Sequence, residues 1–270
     1  MNCSIGIREE SGVRTLHFGS DWVQGAMRIA RPWSLELEYT REMMASLLLR
    51  EGGGIATGNP SAYPSRVLRD DLRFPHKVLL IGLGAASLLK FLYRHYPLAK
   101  LTVVEIEPDV VAVARQFFKL PEDPERIKIV IADGVEYMLE SDRSWDLILV
   151  DGFDENARAG ALDTLTFYLA AQSRLSRNGI LAVNLLSRRR DFRDSVERIR
   201  TAFEGRALAF PSCDSGNAIA FAAAGEPLSI TLGDLKEQAS LLKQATGLNL
   251  LPTLARLEQA KTCAGGVLVL

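Results

Sequence analysis

The sequence contains few of the residues that build covalent or metal-stabilised sites. It has three cysteines and three histidines among 270 residues. The cysteines are odd in number and widely spaced, which argues against a disulfide framework and against zinc-ligand spacing. So few histidines also argue against a histidine-based triad or metal site. We therefore predict a protein without a metal ion, placed in a reducing, cytoplasmic compartment.

Strong net charge and long apolar runs are also lacking. The formal net charge is -1, so there is no global positive field for nucleic acid or an anionic membrane. No apolar run reaches the roughly 18 residues that a membrane helix needs, and the polar N-terminal residues show no signal peptide. We therefore predict no nucleic-acid or membrane partner. A small cationic substrate needs only local carboxylates and is compatible with this charge.

From residue 76 onward, short apolar runs alternate with amphipathic runs. Strands that are apolar throughout and alternate with helices are typical of a parallel sheet covered on both faces. The predicted strands span 77–82, 100–107, 127–133, 145–152 and 179–186. Predicted helices follow each strand, near 85–96, from Pro108, from 134, around 162–175 and from 193.

The last two strand-like runs, 206–212 and 217–224, have no room for a helix between them and predict an antiparallel hairpin. Five β/α units that end in such a hairpin are typical of the S-adenosylmethionine-type Rossmann-like α/β fold, with a seven-stranded sheet. We place this domain at 76–224. It follows a small N-terminal β and helix segment, 1–52, and a glycine- and proline-rich linker near 52–75, and it precedes a C-terminal helical tail, 225–270.

Glycines and carboxylates mark the carboxyl ends of the predicted strands, where open parallel sheets bind ligands. Gly82 and Gly84 follow the first strand, and glycine there lets the backbone turn and lets a ligand approach. Glu105 ends the second strand, where an acidic residue can accept hydrogen bonds from ribose hydroxyls. Asp133 and Asp151 end the third and fourth strands and are predicted to face the same cleft.

The loop Ile81-Gly-Leu-Gly-Ala-Ala-Ser87 lacks the features of a phosphate site. Several carboxylates around the cleft would repel a pyrophosphate but would suit a nucleoside that carries a positive centre. S-adenosylmethionine and its decarboxylated form carry a sulfonium and no phosphate. NAD is the weaker alternative, because Ser87 replaces the third glycine of the dinucleotide fingerprint.

From about residue 16 to 224 the sequence resembles the polyamine aminopropyltransferases, the spermidine and spermine synthases. The resemblance rests on motifs that are similar to the family's own. They are LHFGSDWVQG, REMMASLLL, VVEIEPDVVAVAR, IADG, LILVDGFDE and LDTLTFY.

The resemblance implies transfer of an aminopropyl group from decarboxylated S-adenosylmethionine to a small cationic amine. Asp151 matches the catalytic carboxylate and Asp154 its partner in the substrate pocket. The resemblance also implies a homodimer. The residues expected at the nucleoside are Gln24, Gly82, Gly84, Ala85, Glu105, Ile106, Asp133 and Gly134.

Several positions depart from the family pattern. The family's first loop carries an aspartate that holds the aminopropyl ammonium, and Ala85 or Ala86 stands there. Thr40 stands where the family has a substrate-site tyrosine, and Arg41 follows it with a positive charge near the expected pocket. Glu155 replaces the proline after the second aspartate.

These departures leave three functions open. The first is aminopropyl transfer with Asp151 as base. The second is S-adenosylmethionine-dependent methyl transfer, since loss of the loop aspartate removes repulsion toward the methionine carboxylate and Arg41 could pair with it. The third is a non-catalytic binding protein on the same fold, which the retained Asp151 and Asp154 oppose.

Overall fold

The computed structural model describes residues 5–50, 74–154, 158–213 and 216–270. It opens with a three-stranded antiparallel sheet in the order β1-β2-β3. Alternating apolar residues over 13–19 and 25–30 predict two strands within the N-terminal segment, and these correspond to the second and third strands. The predicted linker lies mostly outside the described residues. The strands are β1 (Ile5–Glu10), β2 (Val13–Phe18) and β3 (Val23–Arg28).

A seven-stranded mixed sheet forms the centre of the molecule, in the order β6-β5-β4-β7-β8-β10-β9. The first five strands are parallel, as the continuous apolar runs predict. The strands are β4 (Lys77–Ile81), β5 (Lys100–Glu105), β6 (Ile127–Ile131), β7 (Trp145–Val150), β8 (Leu175–Leu186), β9 (Ala207–Ala209) and β10 (Asn217–Ala223). The predicted seven-stranded Rossmann-like fold is therefore confirmed.

The predicted terminal hairpin is present. β10 runs antiparallel to both β8 and β9, with Ala220 opposite Ala209 in the short pairing. The strand order reverses at β4, which pairs with β5 on one side and β7 on the other. Loops after these strands diverge at such a reversal and leave a crevice at the carboxyl ends. The fold thus places the glycine loop after β4 at the centre of the cleft.

Helices cover both faces of the sheet. One apolar core lies between the sheet and α1, α2, α3, α7 and α8, and the other lies between the sheet and α4, α5 and α6. Apolar residues at helical spacing predict a helix over 35–50, which in the structure is divided into α1 and a 3₁₀ turn, Met44–Leu48. The helices are α1 (Glu38–Met43), α2 (Ser87–His95), α3 (Pro108–Phe118), α4 (Gly134–Glu140), α5 (Leu165–Arg174), α6 (Phe192–Ala202), α7 (Leu232–Thr246) and α8 (Leu251–Gln259).

The C-terminal tail packs into the same core as α1. Leu235, Leu254 and Leu257 are buried there together with Met43 and Leu47. Two short antiparallel strands close the tail, β11 (Ser229–Thr231) and β12 (Val267–Val269). Within the described residues, no helix is both long and apolar enough to cross a membrane.

A buried lysine predicts a pH-dependent stability. Lys90 is 1% exposed, and its Nζ donates to the Phe118 carbonyl at 2.8 Å, at the end of α3. Burial lowers the pKa of Lys90 to about 8, and the nearby charge of Lys119 acts in the same direction. Between pH 8 and the ordinary lysine pKa the unfolded chain therefore binds more protons, so stability rises with pH through this window.

Between pH 7 and pH 10.5 we expect the free energy of unfolding of wild type to rise by about 3 kcal/mol more than that of Lys90→Met. Urea unfolding at pH 7, 9 and 10.5 measures it. The exposed residue Lys77 provides the matched control, because Lys77→Met should show the same pH dependence as wild type. Equal pH dependence of wild type and Lys90→Met would contradict the assignment.

Candidate functional site

The glycine loop turns where the backbone of a neighbouring strand approaches it. Gly82 has φ +92°, and a Cβ on it would lie 2.3 Å from the Asp151 carbonyl oxygen. Its N–H donates to the Val104 carbonyl, while Asp151 N–H donates to the Ile81 carbonyl. Only glycine fits this position, because any side chain would displace the backbone that carries Asp151.

Glu105 binds the loop as well as facing the cleft. Its Oε2 accepts from Leu83 N–H at 2.9 Å, and its Oε1 accepts from Glu107 N–H at 3.0 Å. The carboxylate is 7% exposed, and burial raises its pKa despite the opposing effect of these N–H donors. The backbone N–H of Ile106 is a third donor to this carboxylate. Its two oxygens offer about four lone-pair sites, so the group can still accept from a ligand hydroxyl.

Asp133 is the N-cap of α4. Its Oδ1 accepts from Val135 N–H at 2.7 Å and from Glu136 N–H at 3.1 Å, while Oδ2 has no hydrogen bond within the described residues. Gly134, also expected at the nucleoside, lines the cleft. A Cβ there would lie 2.6 Å from Ile81 Cγ2, so the glycine makes space for Ile81 in the cleft floor.

Asp151 lies just beyond β7 with a donor on each oxygen. Tyr39 Oη donates to Oδ2 at 3.1 Å, and Asn184 Nδ2 donates to Oδ1 at 2.8 Å. Burial raises the pKa of Asp151, and the two hydrogen bonds partly counteract it. The arrangement orients the carboxylate and makes it a stronger base than an exposed aspartate.

A chain of amides extends from Asp151 across the sheet. Asn184, in β8, accepts at Oδ1 from Asn217 Nδ2 of β10 at 2.9 Å, and both amides are nearly buried. Neither residue is predicted by the motifs or by the strand ends. The available signal was a polar residue inside each of two otherwise apolar strands, where a buried amide requires a hydrogen-bond partner.

Asp154 lies in the loop after β7 and is exposed. Its Oδ1 accepts from Arg158 N–H at 2.8 Å, and the charge of Asp154 acts on the Arg189 guanidinium. The predicted carboxylate pair at i and i+3 is therefore asymmetric. Asp151 is held deep in the cleft and Asp154 stands at its rim. Glu155, the other departure noted in this loop, lies outside the described residues.

These groups line one cleft of about 300 Å³ at the carboxyl end of the sheet. Among the described residues its lining includes four carboxylates and a single guanidinium, that of Arg158. The apolar walls include Trp22, which is 60% exposed, and Ile106, which is 58% exposed. Its polar and glycine lining includes the predicted residues Gln24, Gly82, Gly84, Glu105, Asp133, Gly134, Asp151 and Asp154.

The two alanines of the loop are packed against protein. Ala85 is 2% exposed and touches Gly25 of β3, where a Cβ would lie 2.6 Å from Ala85 Cβ. Ala86 is 1% exposed, and Ser87 Oγ donates to the Ala26 carbonyl at 3.1 Å. The N-terminal sheet therefore closes over this loop. Ala85 borders a cavity of about 20 Å³ beside Asp151 rather than the main cleft.

Thr40 borders the same small cavity as Asp151, but neither it nor Arg41 supplies the hydrogen bond to Asp151. Tyr39, one residue earlier, supplies the hydroxyl beside Asp151, whereas Thr40 Oγ1 donates to the Leu37 carbonyl at 2.6 Å. Arg41 Nε donates to the Leu35 carbonyl at 3.0 Å, so its charge lies outside the cleft. Helical geometry explains this, because residues two apart on a helix face in nearly opposite directions.

No group of three or more histidine, cysteine or acidic side chains that could hold a metal ion occurs in the described ranges. The polar groups of the cleft instead suit an organic ligand. Carboxylates at the ends of β5, β6 and β7 can accept hydrogen bonds and hold a cation, and the apolar walls can cover a ring.

Comparisons with known proteins agree with this geometry. The chain is 34% identical to the polyamine aminopropyltransferase of Neisseria meningitidis serogroup A over 94% of its own length and 89% of the relative's. A probable spermidine synthase from Corynebacterium glutamicum superposes with a TM-score of 0.67 at 18% identity, covering 92% of each chain. At that identity the superposition shows the fold alone.

Human methyltransferase-like protein 13, solved in complex with SAH, superposes with a TM-score of 0.65 at 24% identity, covering 78% of this chain and 93% of that one. At that identity this superposition also shows the fold alone. A family model described as the spermine/spermidine synthase domain matches residues 69–206. Because this family model and the Neisseria meningitidis enzyme both match the chain, the enzyme over nearly the whole length of both proteins, the chain belongs to the spermine/spermidine synthase family.

Proposed function

We propose that the protein transfers an aminopropyl group from decarboxylated S-adenosylmethionine to a small amine, with Asp151 as general base. The observation that carries this proposal is the position of Asp151 in a cleft lined by carboxylates, held between Tyr39 and Asn184. Negative charge favours both the sulfonium nucleoside and a cationic acceptor. The family to which the chain belongs supports the same reaction.

In this mechanism the neutral amine nitrogen attacks the aminopropyl carbon next to sulfur. A carbon–nitrogen bond forms as the carbon–sulfur bond breaks, and the bonding electrons neutralise the sulfonium as methylthioadenosine leaves. The new ammonium passes its proton to a carboxylate oxygen of Asp151. Burial raises the pKa of Asp151, and this shift brings the base closer to neutral pH, where proton transfer is more effective.

We assign the other predicted residues to the nucleoside part of the co-substrate. We assign the ribose hydroxyls to Glu105 and the adenine amino group to Oδ2 of Asp133. Ile106 and the backbone of Gly82 and Gly84 lie against the nucleoside in this assignment. Gln24 also lines the cleft, on the side formed by the N-terminal sheet.

The proposal is tested by incubating purified protein with decarboxylated S-adenosylmethionine and putrescine, cadaverine or spermidine. We expect release of methylthioadenosine together with an aminopropylated amine for at least one acceptor. Tight nucleoside binding with no product from any of the three would overturn the proposed reaction.

The pH dependence of this reaction follows from Asp151. The base is active only when ionised, and burial raises its pKa above the ordinary aspartate value of 3.8. We therefore expect kcat to fall on acidification through a pKa above that value. The check is a profile of kcat from pH 4 to 9 under saturating substrates. A kcat that stays unchanged down to pH 4 would contradict the assignment.

Methyl transfer from S-adenosylmethionine is the second candidate, and a specific observation favours it. Ala85 and Ala86 are buried against protein, so the loop provides no carboxylate for the aminopropyl ammonium. Calorimetry with both co-substrates separates the two reactions. Tight S-adenosylmethionine binding with weak binding of the decarboxylated form would favour methyl transfer.

The assembly and location of the protein belong to the same proposal. We infer a homodimer in the cytoplasm, in keeping with the resemblance of the sequence and its few cysteines. Light scattering of the purified protein tests the assembly, and a mass equal to one chain would contradict it.

A further inference from the structure

We propose that Arg256, in the C-terminal tail, positions Tyr39 against Asp151 by binding the two glutamates that flank Tyr39 on α1. Residues 225–270 would then be part of the active-site framework rather than an appendage. This inference rests on the proposed function, because it assigns Arg256 a role in the same reaction. Arg256 is a positioning residue and does not line the cleft.

The hydrogen bond from Tyr39 to Asp151 depends on the position of the Tyr39 side chain. Its side chain is 9% exposed, and its hydroxyl reaches Asp151 Oδ2 at 3.1 Å from an element distant in sequence. A hydrogen bond of this kind weakens steeply as its length and angle change. A small displacement of α1 would therefore remove the donor from the catalytic carboxylate.

The helix that carries Tyr39 has little stability of its own. α1 has six residues, and its N-cap, Leu37, makes no side-chain capping bond. Isolated helices of fewer than about 12 residues are marginal in water. The position of α1 must therefore be set by what packs against it.

Arg256 supplies a charged tether to this helix. Its Nη1 lies 3.0 Å from Glu38 Oε1, and its Nη2 contacts Glu42 Oε2. Glu42 is 0% exposed, and its Oε1 has no hydrogen-bond partner within the described residues. The two glutamates are four residues apart on one face, so a single planar guanidinium can bridge both.

The tether is anchored in turn. Arg256 belongs to α8, whose Leu254 and Leu257 are buried in the same core as α1. On the outer surface, by contrast, Lys236 of α7 and Glu258 of α8 form an exposed ion pair at 2.8 Å, which contributes little to this anchoring. The tail therefore holds the guanidinium in a defined place relative to the sheet and to Asp151.

The test compares Arg256→Met with Lys236→Met, which removes a tail ion pair on the solvent side. We expect Arg256→Met to lower kcat by about 10-fold or more, with KM for the nucleoside within about 3-fold of wild type. Lys236→Met should leave both constants unchanged. A matched Tyr39→Phe should reproduce the loss, and adding it to Arg256→Met should cost nothing further.

The pH profile separates positioning from general destabilisation. The hydrogen bond from Tyr39 lowers the pKa of Asp151, so its loss should move the acid limb of kcat to higher pH. Arg256→Met and Tyr39→Phe should show the same shift. The proposal would be overturned if the two losses of kcat multiplied in the double variant. It would also be overturned if the variants lost folded protein while kcat per folded molecule stayed unchanged.

Two milder variants cover the case in which Arg256→Met fails to fold with Glu42 left unpaired. Arg256→Lys keeps the charge but cannot bridge both glutamates, and Glu38→Gln leaves the buried pair intact. Each should lower kcat less than Arg256→Met and show no further loss in the Tyr39→Phe background. Losses that multiply in that background would overturn the proposal.

Amide hydrogen exchange gives a readout that needs no turnover. Exchange across residues 38–48 should be faster in Arg256→Lys than in wild type and unchanged in Lys236→Met. If wild type turns over no amine but this exchange pattern appears, the proposed reaction fails while the tether stands. Unchanged exchange in Arg256→Lys would overturn the tether.

Discussion

Asp151→Asn should lower kcat by about 10²- to 10⁴-fold, the range typical of a lost general base, while nucleoside binding changes little. The amide has nearly the same shape as the carboxylate. Its Oδ1 can still accept from Asn184, and its Nδ2 can donate to the Tyr39 hydroxyl oxygen, so the geometry is retained. What the variant loses is the ability to take a proton from the attacking amine.

The same variant should be at least as stable as wild type near neutral pH. Burial raises the folded-state pKa of Asp151 above 3.8, so the folded chain binds more protons than the unfolded chain between the two values. Wild type therefore loses stability as pH rises through this window, and the neutral amide avoids that loss. Two measurements at pH 7 check this. Steady-state kinetics should show an inactive protein, and urea unfolding should show a free energy of unfolding no lower than that of wild type.

Asp109→Asn is the matched control for this experiment, because Asp109 is an exposed carboxylate in the first turn of α3. It should leave both kcat and stability close to wild type. Full activity of Asp151→Asn would remove the proposed base from the mechanism.

Gly82→Ala should cost both stability and activity. A non-glycine residue with positive φ is strained by about 1–2 kcal/mol, and the new Cβ would lie 2.3 Å from the Asp151 carbonyl oxygen. Relieving such overpacking costs about 1–3 kcal/mol more. Because the displaced backbone belongs to Asp151, we expect kcat to fall together with the unfolding free energy measured in urea.

Gly12→Ala separates the two contributions. Gly12 has φ +76° in the turn between β1 and β2, and nothing lies within 4 Å of a Cβ there. The control therefore carries the conformational strain without the collision and should keep full activity. Equal losses of stability in the two variants would show that contact with Asp151 contributes nothing.

The sheet could be predicted because its signal is local. Each predicted parallel strand is present, and the observed strands end within two residues of the predicted ends. One boundary differs at the start, since β8 begins at Leu175 rather than at 179. Hydrophobic periodicity could not detect this earlier start, because the added residues precede the apolar run and are largely polar.

The N-terminal segment was harder to predict. The helical pattern over 35–50 is present but is divided between α1 and a 3₁₀ turn. Resemblance to a motif placed Thr40 at the substrate, whereas the structure places the Tyr39 hydroxyl against Asp151. A shift of one residue rotates a helical side chain by about 100°, so only the packing of α1 could decide which residue faces the cleft.

Sequence alone determined the sheet and the carboxylates at its edge, because parallel strands bring their carboxyl ends together whatever surrounds them. Tertiary structure alone decided how those carboxylates are held. Tyr39 and Asp151 are 112 residues apart, and Glu42 and Arg256 are 214 apart. No local pattern encodes such pairs, since each exists only once separate elements have packed into one core and the buried polar groups have found their partners.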